Sequence, residues 1–278
     1  EVAKKPLHIM MLIPEDQFKN IQKKIKPDVL KLAKETKQEL WVHIKTEIDL
    51  WNYGLDSKYE FIDAIASSFP LYDKGLLGSL RLANIHKSLV LRKFEKYVAS
   101  YVVGGSLVRG TADKTSDVDT FVIIDDTDVK RMPRLQLLEK LRGMIHDYIR
   151  EATALSGTKN ILNVQVYLLT DFWDNVKDAN PVMFTFIRDG VPMYDRGTFL
   201  PWKLLLQMGK VKPSPEAVDK FMKYGEQNEG LVTRRMLDAM IDIYWGVVTP
   251  TQALMMLSGH APPAPKTMVQ DVQKVLVD

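Results

Sequence analysis

Short apolar runs alternate with longer amphipathic stretches over the first two thirds of the chain, and amphipathic stretches alone fill the last third. Residues 7–13, LHIMMLI, are an apolar run closed by Pro14, which predicts a buried strand. A charged helical stretch follows from about Glu15 to Thr36, with Pro27 dividing it. Leu40–Lys45 reads as a strand and Tyr59–Ser68 as a helix. Residues 76–98 are mainly helical, with Leu89, Leu91, Phe94 and Val98 as an apolar stripe. That helix leads into a strand at Tyr101–Val103, a Gly-Gly-Ser turn, and a second strand opened by Ser116-Asp117-Val118-Asp119. From Pro133 to about Ala154 a helix carries Leu135, Leu138, Leu141 and Ile145 on one side. Residues 161–169, ILNVQVYLL, form the next strand. Two short helical pieces precede VPMYDRG at 191–197, which reads as a turn. From Pro201 every element reads helical, punctuated by Pro213, Pro215, Pro250 and Pro262-Pro263-Ala264-Pro265. The last third is therefore a separate helical layer or domain.

The chain also matches itself. Residues 36–75 align with 158–197 without a gap at an offset of 122 (173 less 51, from Trp51 and Trp173), with 12 of 40 positions identical. Pro70, Tyr72, Asp73 and Gly75 fall on Pro192, Tyr194, Asp195 and Gly197, and Trp51 and Trp173 are expected to pack equivalent corners. With a length change in the intervening helix, His8–Ile13 fits Thr120–Asp125. The amino-terminal part then reads as the back half of a second copy of the central domain. In that alignment Lys5 and Leu7 face Asp117 and Asp119, so this copy can scaffold but cannot bind a metal in the same way.

Composition narrows the chemistry. Of 278 residues, 46% are hydrophobic and 26% charged, an ordinary globular balance, and the net charge of +3 is too small to diagnose a nucleic-acid binder. The absence of cysteine excludes disulfides, thiolate metal sites and cysteine nucleophiles, and points to an intracellular, cytoplasmic protein. No apolar run approaches the roughly 20 residues of a membrane span. Beginning at Glu1 rather than methionine, the sequence reads as a trimmed chain or a fragment.

The stretch Val102–Asp126, VVGGSLVRGTADKTSDVDTFVIIDD, carries the candidate chemistry. Asp117 and Asp119 lie two apart on a strand, so their carboxylates share a face. A paired carboxylate face beside a Gly-Ser turn offers hard oxygen ligands for Mg²⁺ and backbone N–H groups for phosphates. That combination points to a nucleoside triphosphate.

Gly105-Ser106, Arg109-Gly110-Thr111 and Ser116-Asp117-Val118-Asp119 together resemble the signature of the polymerase-beta-type nucleotidyltransferase superfamily. The resemblance covers roughly residues 85–197. It implies an α+β fold whose core is a mixed β-sheet flanked by helices. Here that core is preceded by the partial duplicate and followed by helices. The expected domains are a degenerate repeat over 1–78, the nucleotidyltransferase core over 79–200, and a helical domain over 201–278.

The resemblance further implies that Asp117 and Asp119 are catalytic and hold Mg²⁺ or Mn²⁺. Gly105, Ser106, Arg109 and Ser116 would form the nucleotide-binding set, with Ser116 capping or orienting the strand entry. The superfamily adds a third carboxylate on the next strand, as metal ligand and base. Gln165 occupies the expected position, with His43 as its counterpart in the first copy, and glutamine cannot usefully accept a proton. The expected activity is transfer of a nucleoside monophosphate from NTP to an unidentified acceptor hydroxyl on nucleic acid, protein or a small molecule. The alternative is a catalytically impaired NTP- or RNA-binding module of the same fold. The five histidines show no metal-ligand spacing, and the stripe Met236, Met240, Ile243 reads as helix core. Lys203, Lys210 and Lys212 read as a solvated face.

Overall fold

A computed structural model describes residues 6–36, 39–113, 115–127, 133–178 and 180–277. They divide into two compact units between Ser214 and Pro215. The first unit runs β1 (Leu7–Ile13), α1 (Lys26–Glu35), β2 (Leu40–Thr46), α2 (Glu47–Leu55), α3 (Tyr59–Ala66) and α4 (Leu76–Phe94). It continues with β3 (Val98–Val103), α5 (Gly105–Val108), β4 (Val118–Ile124), α6 (Arg134–Ser156), β5 (Leu162–Leu168), α7 (Leu169–Lys177), α8 (Pro181–Asp189), β6 (Val191–Asp195) and α9 (Phe199–Gln207). The helical stretch before Pro27 is a 3-10 segment, Glu15–Asn20, and a π turn, Ile21–Ile25, and regular α-helix begins only at Lys26, so Pro27 marks a boundary within it.

The main sheet has the order β5-β4-β3-β6, with β4 and β5 parallel and β3 antiparallel to both β4 and β6. It is therefore mixed, as expected. The segment read as a turn at 191–197 is instead the edge strand β6 followed by a bend. Pro192 is compatible with an edge, where no neighbour needs its missing donor.

One face of the sheet is covered by α4 and α6. There His86 is fully buried, with Nδ1 2.9 Å from the Tyr101 hydroxyl and Nε2 3.0 Å from the Ile145 carbonyl. The imidazole ties α4, β3 and α6 together, and burial pushes its pKa down to about 4. On the other face Phe121 meets Phe186 and Phe199 edge-on, at centroid distances of 4.5 and 5.7 Å. Helices α2 and α3 join the first of these cores through Leu50, Trp51, Ile62 and Ala66. Gly54 permits this approach to the sheet edge, because a Cβ there would lie 2.5 Å from Val191 Cγ1.

Strands β1 and β2 form a separate, parallel two-stranded sheet. Its register, Leu7 to Leu40, has the form of Val118 to Leu162 in β4–β5. The second strands differ by the expected 122 (162 less 40), but the first differ by 111 (118 less 7). This corrects the sequence alignment by one residue: His8, not Leu7, stands where Asp119 stands, and Pro6 stands where Asp117 stands. Lys5 lies outside the described residues. The matched aspartates do share a task. Asp73 accepts from the N–H groups of Gly75, Leu77 and Gly78 at the start of α4, and Asp195 from those of Thr198, Phe199 and Leu200 at the start of α9. The matched tryptophans do not. Trp51 is buried in the core, while Trp173 is half exposed against Trp202, at a centroid distance of 4.7 Å.

In the second unit, α10 (Pro215–Leu257) runs through Pro250 without a break, and α11 (Met268–Val272) follows. The residue one turn before Pro250 is Gly246, which carries no side chain. Met236, Met240 and Ile243, read as helix core, are exposed along α10. No described helix is long and apolar enough to cross a membrane.

Candidate active site

Strand β3 ends at Val103, and the chain turns through Gly104 and Gly105 into the single turn of α5. Gly105 has φ +65°, a conformation glycine adopts without strain. A Cβ at Gly105 would also meet Asp119 Oδ2 at 2.2 Å. The carboxylate therefore rests against the bare backbone of the turn. The Gly104 N–H donates to the Asp119 carbonyl at 2.9 Å, locking turn and strand together. Ser106 Oγ lies 3.4 Å from the Asp117 carbonyl, which places its hydroxyl beside the same strand opening. At the far end of α5, the Thr111 N–H donates to the Ser106 carbonyl at 3.1 Å and Gly110 takes φ +71°.

Asp117, exposed, lies immediately before β4, and Asp119, half-buried, is the second residue of that strand. Ser116 lies just before β4. It closes a turn in which its hydroxyl donates to Asp113 Oδ1 and accepts from the Asp113 N–H, both at 2.9 Å. Bonds from the backbone and hydroxyl of Thr115, then from Ser116, hold the Asp113 carboxyl below its ordinary pKa. Buried Asn160 braces this turn from behind, donating to the carbonyls of Asp113 and Ser116 at 3.0 and 2.9 Å.

Neighbouring β5 differs from the sequence expectation. The residue in register with Asp119 is Asn163, whose amide donates to Asp119 Oδ1 at 3.1 Å. Gln165 is paired with Phe121 further along and accepts from the Tyr167 hydroxyl at 2.9 Å. The third position beside the aspartates is thus filled by an amide. Among the described residues there is no group of three or more histidines, aspartates or glutamates placed to hold a metal ion. The two aspartates nevertheless fit one Mg²⁺ arriving with a nucleotide, because Mg²⁺ takes one or two carboxylates and completes its shell with phosphates and water.

Two further groups border the site. Asp189, at the end of α8, is gripped by Arg188 through Nε and a terminal nitrogen at 2.7 and 2.8 Å. Arg188 holds its pKa down, aided by the charges of Lys203 and exposed Arg109. Arg109 therefore has an acidic neighbour as well as solvent. Glu47, from the first turn of α2, reaches Gly110 so closely that a Cβ there would lie 2.3 Å from its Oε2. Burial raises the Glu47 pKa. Lys203 is not on a solvated face: it is buried and donates to the carbonyls of Ile187, Arg188 and Gly190. Asn163, Asn160 and Glu47 carry no local sequence signal, since each acquires its place through strand register or tertiary packing.

The mixed sheet thus sets the Asp119 carboxylate against a glycine turn, with Asp117 just before the same strand. Residues 84–173 match the family model of the nucleotidyltransferase domain. A comparison with curated proteins found no match. Nine chains of solved structures match. One is described as a crystal structure of the toxin-antitoxin with AMP-PNP, is 13% identical, and aligns over 54% of this chain and 96% of its own. Its TM-score of 0.25 is too low to bear on function.

Proposed function

We propose that the chain transfers a nucleoside monophosphate from an NTP to an acceptor hydroxyl, with Asp117 and Asp119 holding Mg²⁺ or Mn²⁺. The observation that carries this reading is the contact between Asp119 and Gly105, which leaves no room for a side chain between carboxylate and turn. The ion would supply charge stabilisation for the triphosphate during in-line attack. Ser106 and the N–H groups near Gly105 would bind phosphate oxygens, and Arg109 would add positive charge. The acceptor oxygen bonds to the α-phosphorus as pyrophosphate leaves, and the hydroxyl proton passes to solvent. Asn163 orients Asp119 by donating to one of its oxygens.

Asn163 also motivates the second reading, an NTP- or RNA-binding module with impaired catalysis, since an amide cannot take the proton. The same strand pairing and register in β1–β2 and β4–β5 support an origin of residues 1–78 by partial duplication of a core over 79–200. Residues 201–278 would then be appended helices. Incubation with labelled NTPs, Mg²⁺ or Mn²⁺ and a cell lysate tests the reading. Label transfer that disappears in Asp119→Ala supports the transferase. Mg²⁺-dependent NTP binding without transfer, converted to transfer by Asn163→Asp or Gln165→Asp, supports the module. No nucleotide binding at all refutes both.

A further inference from the structure

We propose that His8 and His43 form a two-imidazole site for a late first-row transition-metal ion, with Cu²⁺ the tightest. They sit on adjacent parallel strands, β1 and β2, with His8 Nδ1 and His43 Nε2 3.1 Å apart and ring planes only 6° from parallel. Two metal–nitrogen bonds of about 2.0–2.1 Å spanning that distance would meet at roughly 100°, between square-planar and tetrahedral angles. Both rings are exposed, so small rotations bring the two lone pairs onto a common point. The hydrogen bond they now share requires one nitrogen to carry a proton. A change of tautomer moves that proton to the outer ring nitrogen, and no net proton is released.

The position strengthens the chemistry. By strand register His8 stands where Asp119 stands in β4, and His43 where Gln165 stands in β5. The face that carries carboxylate and amide oxygens in one sheet carries imidazole nitrogens in the other. Oxygen sets select Mg²⁺, whereas imidazole sets select copper, nickel and zinc, with copper heading the affinity order. Trp41 packs edge-on to His8 at 5.1 Å and is half exposed, so a bound Cu²⁺ would quench its fluorescence.

The test is a fluorescence titration of the full chain with Cu²⁺ in excess Mg²⁺, which competes for carboxylate oxygens but not for imidazole nitrogens. A saturable quench at one equivalent is expected, with paramagnetic resonance showing coupling to two imidazole nitrogens. His8→Gln and His43→Gln should each weaken binding at least about tenfold, because loss of one ligand removes the chelate advantage. His146→Gln and His260→Gln, which alter the other exposed imidazoles, should leave it unchanged. Circular dichroism checks that the exposed substitutions leave the fold intact. Wild type without a saturable quench, or His8→Gln and His43→Gln with wild-type affinity, overturns the site.

Discussion

Gly105 combines two demands at one residue: a left-handed backbone at φ +65° and a carboxylate packed where a Cβ would stand. Gly105→Ala must tilt the turn or expel Asp119. Destabilisation of about 1–2 kcal/mol is expected from the backbone conformation alone, measured by urea unfolding. Calorimetry should show at least about tenfold weaker Mg²⁺-ATP binding, the equivalent of 1.4 kcal/mol, if the turn cradles the triphosphate. His86 makes a different prediction. Its folded-state pKa of about 4 lies below the ordinary 6.5, so the unfolded chain binds the extra proton first as pH falls. Its stability contribution is complete above pH 6.5, is lost progressively towards pH 4, and changes no further below that. The loss is at most about 3 kcal/mol, at 1.36 kcal/mol per pKa unit. Thermal unfolding between pH 7 and 4 should show that slope in wild type. His86→Gln should be less stable at pH 7 but flatter across the window.

At the level of elements, a short motif positions whole helices. Asp73 and Asp195 occupy equivalent places in Pro-x-Tyr-Asp-x-Gly and each accepts three N–H groups of the following helix. Replacing either by alanine should cost about 1–2 kcal/mol in denaturant unfolding, as loss of a helix cap does. Asp195→Ala should cost more than Asp73→Ala, since Asp195 also accepts from buried Ser100 at 2.6 Å. This motif was legible in the sequence because conformation and hydrogen bonding at a cap are local. So were the strands β1, β2, β3, β4 and β5, whose apolar runs are bounded by turn residues, but β1 is not the buried strand its run suggested. Only its Ile13 is buried, because among the described residues no second layer of the main core covers the two-stranded sheet's outer face. Helix α2 was missed because it is only 9 residues long and carries Gly54 near its end. That glycine reflects contact with Val191 rather than helix propensity. Edge strand β6 was missed because Pro192 and the flanking Gly190 and Gly197 read as turn chemistry. The glycine turn and its closeness to the strand that carries Asp119 were likewise readable. The partner of Asp119 was not, because a two-residue shift along the same face of β5 decides between Asn163 and Gln165.

For the whole molecule, the buried clusters bear on where the chain can be divided. Both cores of the first unit are built from residues between Leu50 and Phe199, including every strand of the main sheet and the helices on its two faces. The last partly buried contributor is Val211, just before the division at Ser214. The glycine turn, Asp117, Asp119 and Asn163 all lie inside that set, and the hydrogen bonds that fix them run to Asp113, Asn160 and one another. In the second unit, Val248 and Met255 of α10 and Met268 of α11 are buried, and Gln252 donates to the Pro263 carbonyl at 2.9 Å. A hydrophobic core contained within residues 1–214 should fold without the helices that follow. We therefore expect residues 1–214 to unfold cooperatively at a midpoint within a few degrees of the main transition of the full chain. If the site binds Mg²⁺-ATP, their affinity should agree with that of the full chain within about twofold, because no group named in the site lies beyond residue 203. Scanning calorimetry and a nucleotide titration on both proteins check this. A molten thermogram for 1–214 would show that the helices complete the first core, and cooperative unfolding with lost affinity would show that they complete the nucleotide site.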